Sequence, residues 1–100
     1  MMTAKEARYN TDKHISDTTA RAKELLSTDV LGVNYMIGEA IASCKSKVKF
    51  EVYNFFKDNG FRSQEEQNIF ITTCHNYFKD FGYTVASWEV LYGEIFEISW

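Results

Sequence analysis

The sequence predicts an α+β fold in two layers. N-terminal helices plus one crossover helix pack on one face of a small three-stranded, mainly antiparallel sheet, with the last strand central. Three observations carry this. Apolar residues recur at steps of three and four through residues 1–45. The period changes to two at "KVKFEVY". A capped helical segment then precedes two further alternating runs. With 100 residues, no proline and no Gly/Ser-rich linker, the chain reads as a single domain over 1–100, helical over 1–45 and β-α-β-β over 46–100.

The elements follow in order. "TAKE", Thr3 to Glu6, sets a hydroxyl at an N-cap and a carboxylate three residues on, the spacing of a capping box. Ala4, Ala7, Thr11, Ile15, Thr18, Ala22 and Leu25 continue at roughly helical spacing. The stripe is weakly apolar and predicts a break around "NTDKHISD". A stronger stripe of Leu26, Val30, Val33, Ile37, Ile41 and Cys44, with Ala40 beside it, predicts an amphipathic helix on the core. Gly32 and Gly38 each weaken it by about 1 kcal/mol relative to alanine, which implies close approach of another element. The pattern does not decide whether residues 15–45 form one bent helix or two with a break near "LLSTD".

Val48, Phe50 and Val52 alternate with Lys47, Lys49, Glu51 and Tyr53, predicting a half-buried strand over Lys47 to Tyr53. "NFFKDNGF" reads as a loop turning at Asn59-Gly60, with its phenylalanines folded onto the core. "SQEE" is a second capping box, opening a helix with the apolar face Phe70, Thr73, Cys74, Tyr77, Phe78 and Phe81, and Gly82 ends it. Strands over Tyr83 to Trp88 and Gly93 to Trp100 close the chain, joined by "EVLY". Lys47, Lys49 and Glu51 on the first strand protect an exposed edge. The last strand is the most apolar, so it belongs in the centre, antiparallel to both neighbours in the split β-α-β manner. Trp100 shares a face with Phe96 and Ile98, so it is expected in the core, and the chain can end there because the strand is held on both sides.

Composition excludes several classes. A 45% hydrophobic and 16% aromatic content argues against disorder. A net charge of -3 with scattered cations, the densest being Lys45, Lys47 and Lys49, argues against nucleic acid. Cys44 and Cys74 read as buried thiols in a reducing compartment. The first residues lack the apolar core of a signal peptide, and no apolar run is long enough to span a bilayer. These features predict a soluble protein of the cytoplasm without membrane contact.

Candidate chemistry yields to plainer readings. Cys74 and His75 are adjacent on a helix and point about 100° apart. Without a third ligand they read as a buried thiol and a flanking imidazole, not a metal site. His14 sits in a polar stretch and reads as solvated surface. Cys44 has Lys45 beside it but lies at a helix C-terminal end, where the dipole disfavours thiolate. Glu65 and Glu66 complement a helix N-terminus. Glu94 and Glu97 fall on opposite faces of one strand and form no acid/base pair. No glycine pattern cradles phosphate. The expectation is therefore no catalytic residue, no metal, no cofactor and no enzyme.

The remaining signal is on the sheet face turned away from the helices. Tyr53, Trp88 and Ile95 fall there with Lys47, Lys49 and Glu51, beside Thr84, Ala86, Glu97 and Ser99. A mixed face with a few large apolar side chains fits a protein-binding patch. The alternative is an ordinary solvated sheet with scattered aromatics. The uncharged "YTVAS" edge, Tyr83 to Trp88, is suited to strand addition, by a target or by a second copy in a homodimer.

Several short stretches together carry a resemblance. "MTAKEAR" at positions 2–8, a long helix running into "KVKFEVY", "FKDFGYTV" and the terminal "EISW" are similar to small bacteriophage proteins of uncharacterised function. The similarity spans the chain, but its motifs are short and structural. The stretch between the opening and the first strand is longer here than in that set. The resemblance implies phage or prophage origin and transfers no catalytic residue. It favours an accessory protein that binds and inhibits or modulates a host protein in the bacterial cell, for host takeover or anti-defence. The alternative is a minor virion or assembly component.

Overall fold

In the computed structural model, which describes every residue except Tyr92 and the side chain of Tyr53, the order is α1 (Ala4–Ser27), α2 (Val33–Ala42), β1 (Lys47–Glu51), α3 (Tyr53–Asp58), α4 (Gln64–Asp80), β2 (Thr84–Val90) and β3 (Gly93–Ser99). Thr3 caps α1 by accepting the Glu6 N–H at 3.1 Å. The break expected at "NTDKHISD" does not occur. The Thr11 and Thr19 hydroxyls donate to the Ala7 and Ile15 carbonyls at 2.9 Å each, which satisfies both hydroxyls without interrupting the ladder. Only Thr18, Ala22 and Leu26 of α1 are buried. His14 and Arg21 reach the Glu66 carboxylate near the start of α4, at 3.5 and 3.8 Å. Ala4 to Lys13 therefore project about 15 Å past α4, which contributes to the molecule's 60 Å long axis.

Residues 15–45 form two helices. Asp29 turns the chain with φ 54° and Gly32 follows at φ 70°. The Asp29 carboxylate accepts from the Val33 and Asn34 N–H groups at 2.8 and 3.1 Å, capping α2 from outside the usual position. The turn rotates α2 out of the stripe that starts at Leu26, so Val30 and Ile41 are 52% and 60% exposed instead of core. Gly38 has no heavy atom within 4 Å of where a Cβ would stand, so no close approach explains it. Cys44, expected buried, lies past the end of α2 at φ 59° and is exposed, whereas Cys74 is buried as expected.

The sheet order is β1-β3-β2 with β3 antiparallel to both neighbours, as the composition of the last strand predicts. Phe50, Phe96 and Ile98 on its inner face are buried, and Phe50 stacks on Phe96 at 5.5 Å. β1 stops at Glu51. "NFFKDNGF", expected as loop, begins within the short helix α3, because Val52, Phe55 and Phe56 follow helical spacing and all three are buried. Gly60 then turns at φ 79° as expected. Ser63 and Glu66 form the full reciprocal capping box of α4, and Gly82 at φ 92° ends it. The Tyr83 N–H donates back to the Phe78 carbonyl at 3.1 Å.

Two aromatics expected in the core are not there. Phe81 is the C-cap of α4, beyond its inward face, and is 67% exposed. Trp100 is 44% exposed and meets Tyr83 edge-on at 6.1 Å, one residue past the end of β3. Its N–H still donates to the Ser46 carbonyl at 3.0 Å, so β3 is held to its last residue. Among the described residues no helix is long and apolar enough to cross a membrane.

Candidate functional site: the outer sheet face

Side chains alternate along a strand, so the register decides what meets on the outer face. It sets three rows side by side: Lys47, Ser99 and Thr84; Lys49, Glu97 and Ala86; Glu51, Ile95 and Trp88. The Lys49 Nζ lies 3.7 Å from a Glu97 carboxylate oxygen and 5.6 Å from the centre of the Trp88 ring. The ammonium thus links the middle row to the aromatic end of the face. As an exposed ion pair it contributes at most about 1 kcal/mol, and the cation–π contact a similar amount. Their effect is to restrain the rotamers of Lys49 and Trp88. Trp88 stays 40% exposed on β2, which is bonded along its length to β3.

Five of the six residues expected on this face stand together there: Lys47, Lys49, Glu51, Trp88 and Ile95. Tyr53 is the sixth. It opens α3, so strand alternation no longer places it on the face, and its side chain lies outside the described residues.

A polar cluster on the inner face was not foreseen. His75 Nε2 and Ser87 Oγ are 2.6 Å apart, joining α4 to β2. Burial, with help from the Lys79 charge, holds the imidazole below its ordinary pKa and so neutral. The neighbouring Glu94 carboxyl is raised by burial and by Glu89, directly opposite on β2, and is partly restored by a bond to Ser87. A neutral imidazole on a hydroxyl begins a nucleophilic arrangement, yet neither residue lines either of two open cavities nearby on the surface. Of these, one of about 1010 Å³ lies between α1 and α4, and one of about 860 Å³ runs past Phe61, Arg62 and Glu94. The imidazole instead packs on Phe96 at 5.6 Å. This is a satisfied inter-element bond, and only the pairing of β2 over α4 reveals it.

Burial pushes the Cys74 thiol up to about 12, which leaves it protonated and unreactive. Among the described residues no group of three or more His, Cys, Asp or Glu stands together to hold a metal ion. Glu66 is different in kind. The Ser63 N–H and hydroxyl, then His14, hold its carboxyl below the usual range. A depressed carboxyl stabilises the fold above its unfolded pKa of about 4.5, and that stability is lost as pH falls through the folded value. Glu66→Gln is therefore expected to cost about 0.5–1 kcal/mol at neutral pH and nothing once the carboxyl is protonated. Urea titrations at neutral and acid pH read this, and an equal loss at both would contradict it.

No family model, curated protein or solved structure matches the chain.

Proposed function

We propose that the protein is a non-enzymatic binding protein whose outer sheet face docks on another protein. In the setting that the resemblance to small bacteriophage proteins supplies, it is a phage-type accessory factor acting in the cytoplasm of the host bacterium. There it inhibits or modulates a host protein, for host takeover or anti-defence. The observation that carries the reading is Trp88: a large aromatic, 40% exposed, restrained by Lys49 and flanked by Ile95 on the outer face. Rigid half-exposed tryptophans ringed by polar groups are the usual anchors of protein interfaces.

The test is affinity capture from host lysate followed by titration of the captured protein. Trp88→Ala is expected to weaken binding by about 30-fold or more and to leave folding nearly unchanged, since the ring is not in the core. If Trp88→Ala and Lys49→Ala both bind as the parent does, the outer face is not the site. The second reading, a minor virion or assembly component, draws on the projecting α1 segment Ala4 to Lys13, whose residues are all exposed. It requires that the protein co-purify with particles.

A further inference from the structure

An edge strand offers unpaired N–H and C=O groups, and folded chains blunt such edges with charge, proline or cover. The two edges of this sheet differ. β1 carries Lys47 and Lys49 and borders a shallow cavity of about 330 Å³ shared with Met36, Glu39 and Ala40 from the α2 side. β2, "TVASWEV", has no lysine, no arginine and no proline.

The ladder shows which of its backbone groups face outward. In an antiparallel pair, bonded and non-bonded residue pairs alternate. The Val52 N–H donates to the Glu94 carbonyl at 3.1 Å and the Trp100 N–H to that of Ser46 at 3.0 Å. Even-numbered residues of β3 therefore turn their backbone groups toward β1, and odd-numbered ones toward β2. Through the register, Thr84, Ala86, Trp88 and Val90 bond to β3. Val85, Ser87 and Glu89 point their N–H and C=O groups away from the sheet, and among the described residues no backbone group meets them.

We infer that two copies of this chain pair antiparallel through β2, about a two-fold axis at Ser87. In this register Val85 meets Glu89 of the partner subunit, Ser87 meets its own counterpart, and all the outward groups of the three residues are used. Sliding the register toward Tyr83 would call on an N–H already donated to Phe78. Sliding it the other way runs into the hairpin turn at Leu91. On the outer face Trp88 stands opposite Ala86 of the partner subunit, a large side chain over a small one. Glu89, the only charge on the strand, stands opposite an aliphatic residue, so no like charges meet across the axis. The contact is isologous, as two-fold pairing requires. It joins the two sheets into one of six strands and sets two outer faces side by side. This pairing does not depend on the docking reading above.

Sedimentation equilibrium of the full chain, from micromolar to about millimolar concentration, is expected to show twice the 11.6 kDa chain mass. Ser87→Pro removes the central outward N–H and leaves the backbone ladder between β2 and β3 intact, at the loss of the hydroxyl that meets His75 and Glu94. It is expected to weaken association at least tenfold with unchanged circular dichroism. Ala86→Lys, which puts a charge under the partner's Trp88, is expected to do the same and decides the matter should the proline variant misfold. Ser87→Cys in a Cys44→Ser background should cross-link under oxidation, since directly opposed bonded residues stand about 5.5 Å apart at Cα. A chain that stays monomeric throughout overturns the inference. So does a dimer that survives these substitutions in folded protein, or one that fails to cross-link.

Discussion

Phe70→Ala is expected to remove about 3–5 kcal/mol of folding stability. Phe70 is wholly buried on α4, and the rings of Phe55, Phe61 and Phe56 surround it at 4.7, 5.2 and 5.7 Å. Those three rings come from α3 and the turn after it, a segment too short to be helical by itself. Its order depends on the ring that Phe70 supplies. Aromatic neighbours fill a void poorly, so the cavity would not collapse. A domain of this size holds only about 5–15 kcal/mol in all, so the variant should unfold at a small fraction of the parent's urea midpoint. A loss under about 1 kcal/mol would contradict this. Phe81→Ala, by contrast, removes a mostly exposed ring and should stay within about 0.5 kcal/mol of the parent.

Removing Ile98 to Trp100 is expected to abolish cooperative folding. Ile98 is fully buried in the central strand, opposite Val48 on one side and Val85 on the other. Its burial alone is worth about 1.5–3 kcal/mol. The truncation also strips ladder partners from both edge strands at once, and with them the Trp100 bond to Ser46. Trp100→Ala separates the contributions. Because that ring is half-exposed, the substitution should cost about 1 kcal/mol and leave a folded chain. A truncated chain that melts cooperatively near the parent temperature would refute the central placement of this stretch.

What was legible in the sequence was what depends on neighbours close in the chain. Alternation in Lys47 to Glu51 and in Gly93 to Ser99 assigned the faces. The apolar content of the last strand placed it in the centre, and Ser63, Glu66 and Gly82 marked the ends of α4. What was not legible depends on a single turn or on contacts across the chain. The stripe from Leu26 to Cys44 keeps helical spacing through a turn that Asp29 imposes, so periodicity alone ran two helices together. The α3 segment carries only three apolar positions at helical spacing, and packing rather than propensity holds it. That short helix begins at Tyr53, so the strand alternation stops at Glu51. The bond between His75 and Ser87 requires the register of β2 over α4, which no local pattern encodes.

The two tryptophans offer the most direct test that the outer face is the docking surface. They are similarly exposed, 40% for Trp88 and 44% for Trp100, but Trp88 stands on the outer face while Trp100 packs against Tyr83 at the inner side. With the indole nitrogens labelled, addition of the captured protein should shift or broaden the Nε1–H resonance of Trp88 and leave that of Trp100 in place. A perturbed Trp100 beside an unchanged Trp88 would contradict docking through the outer face.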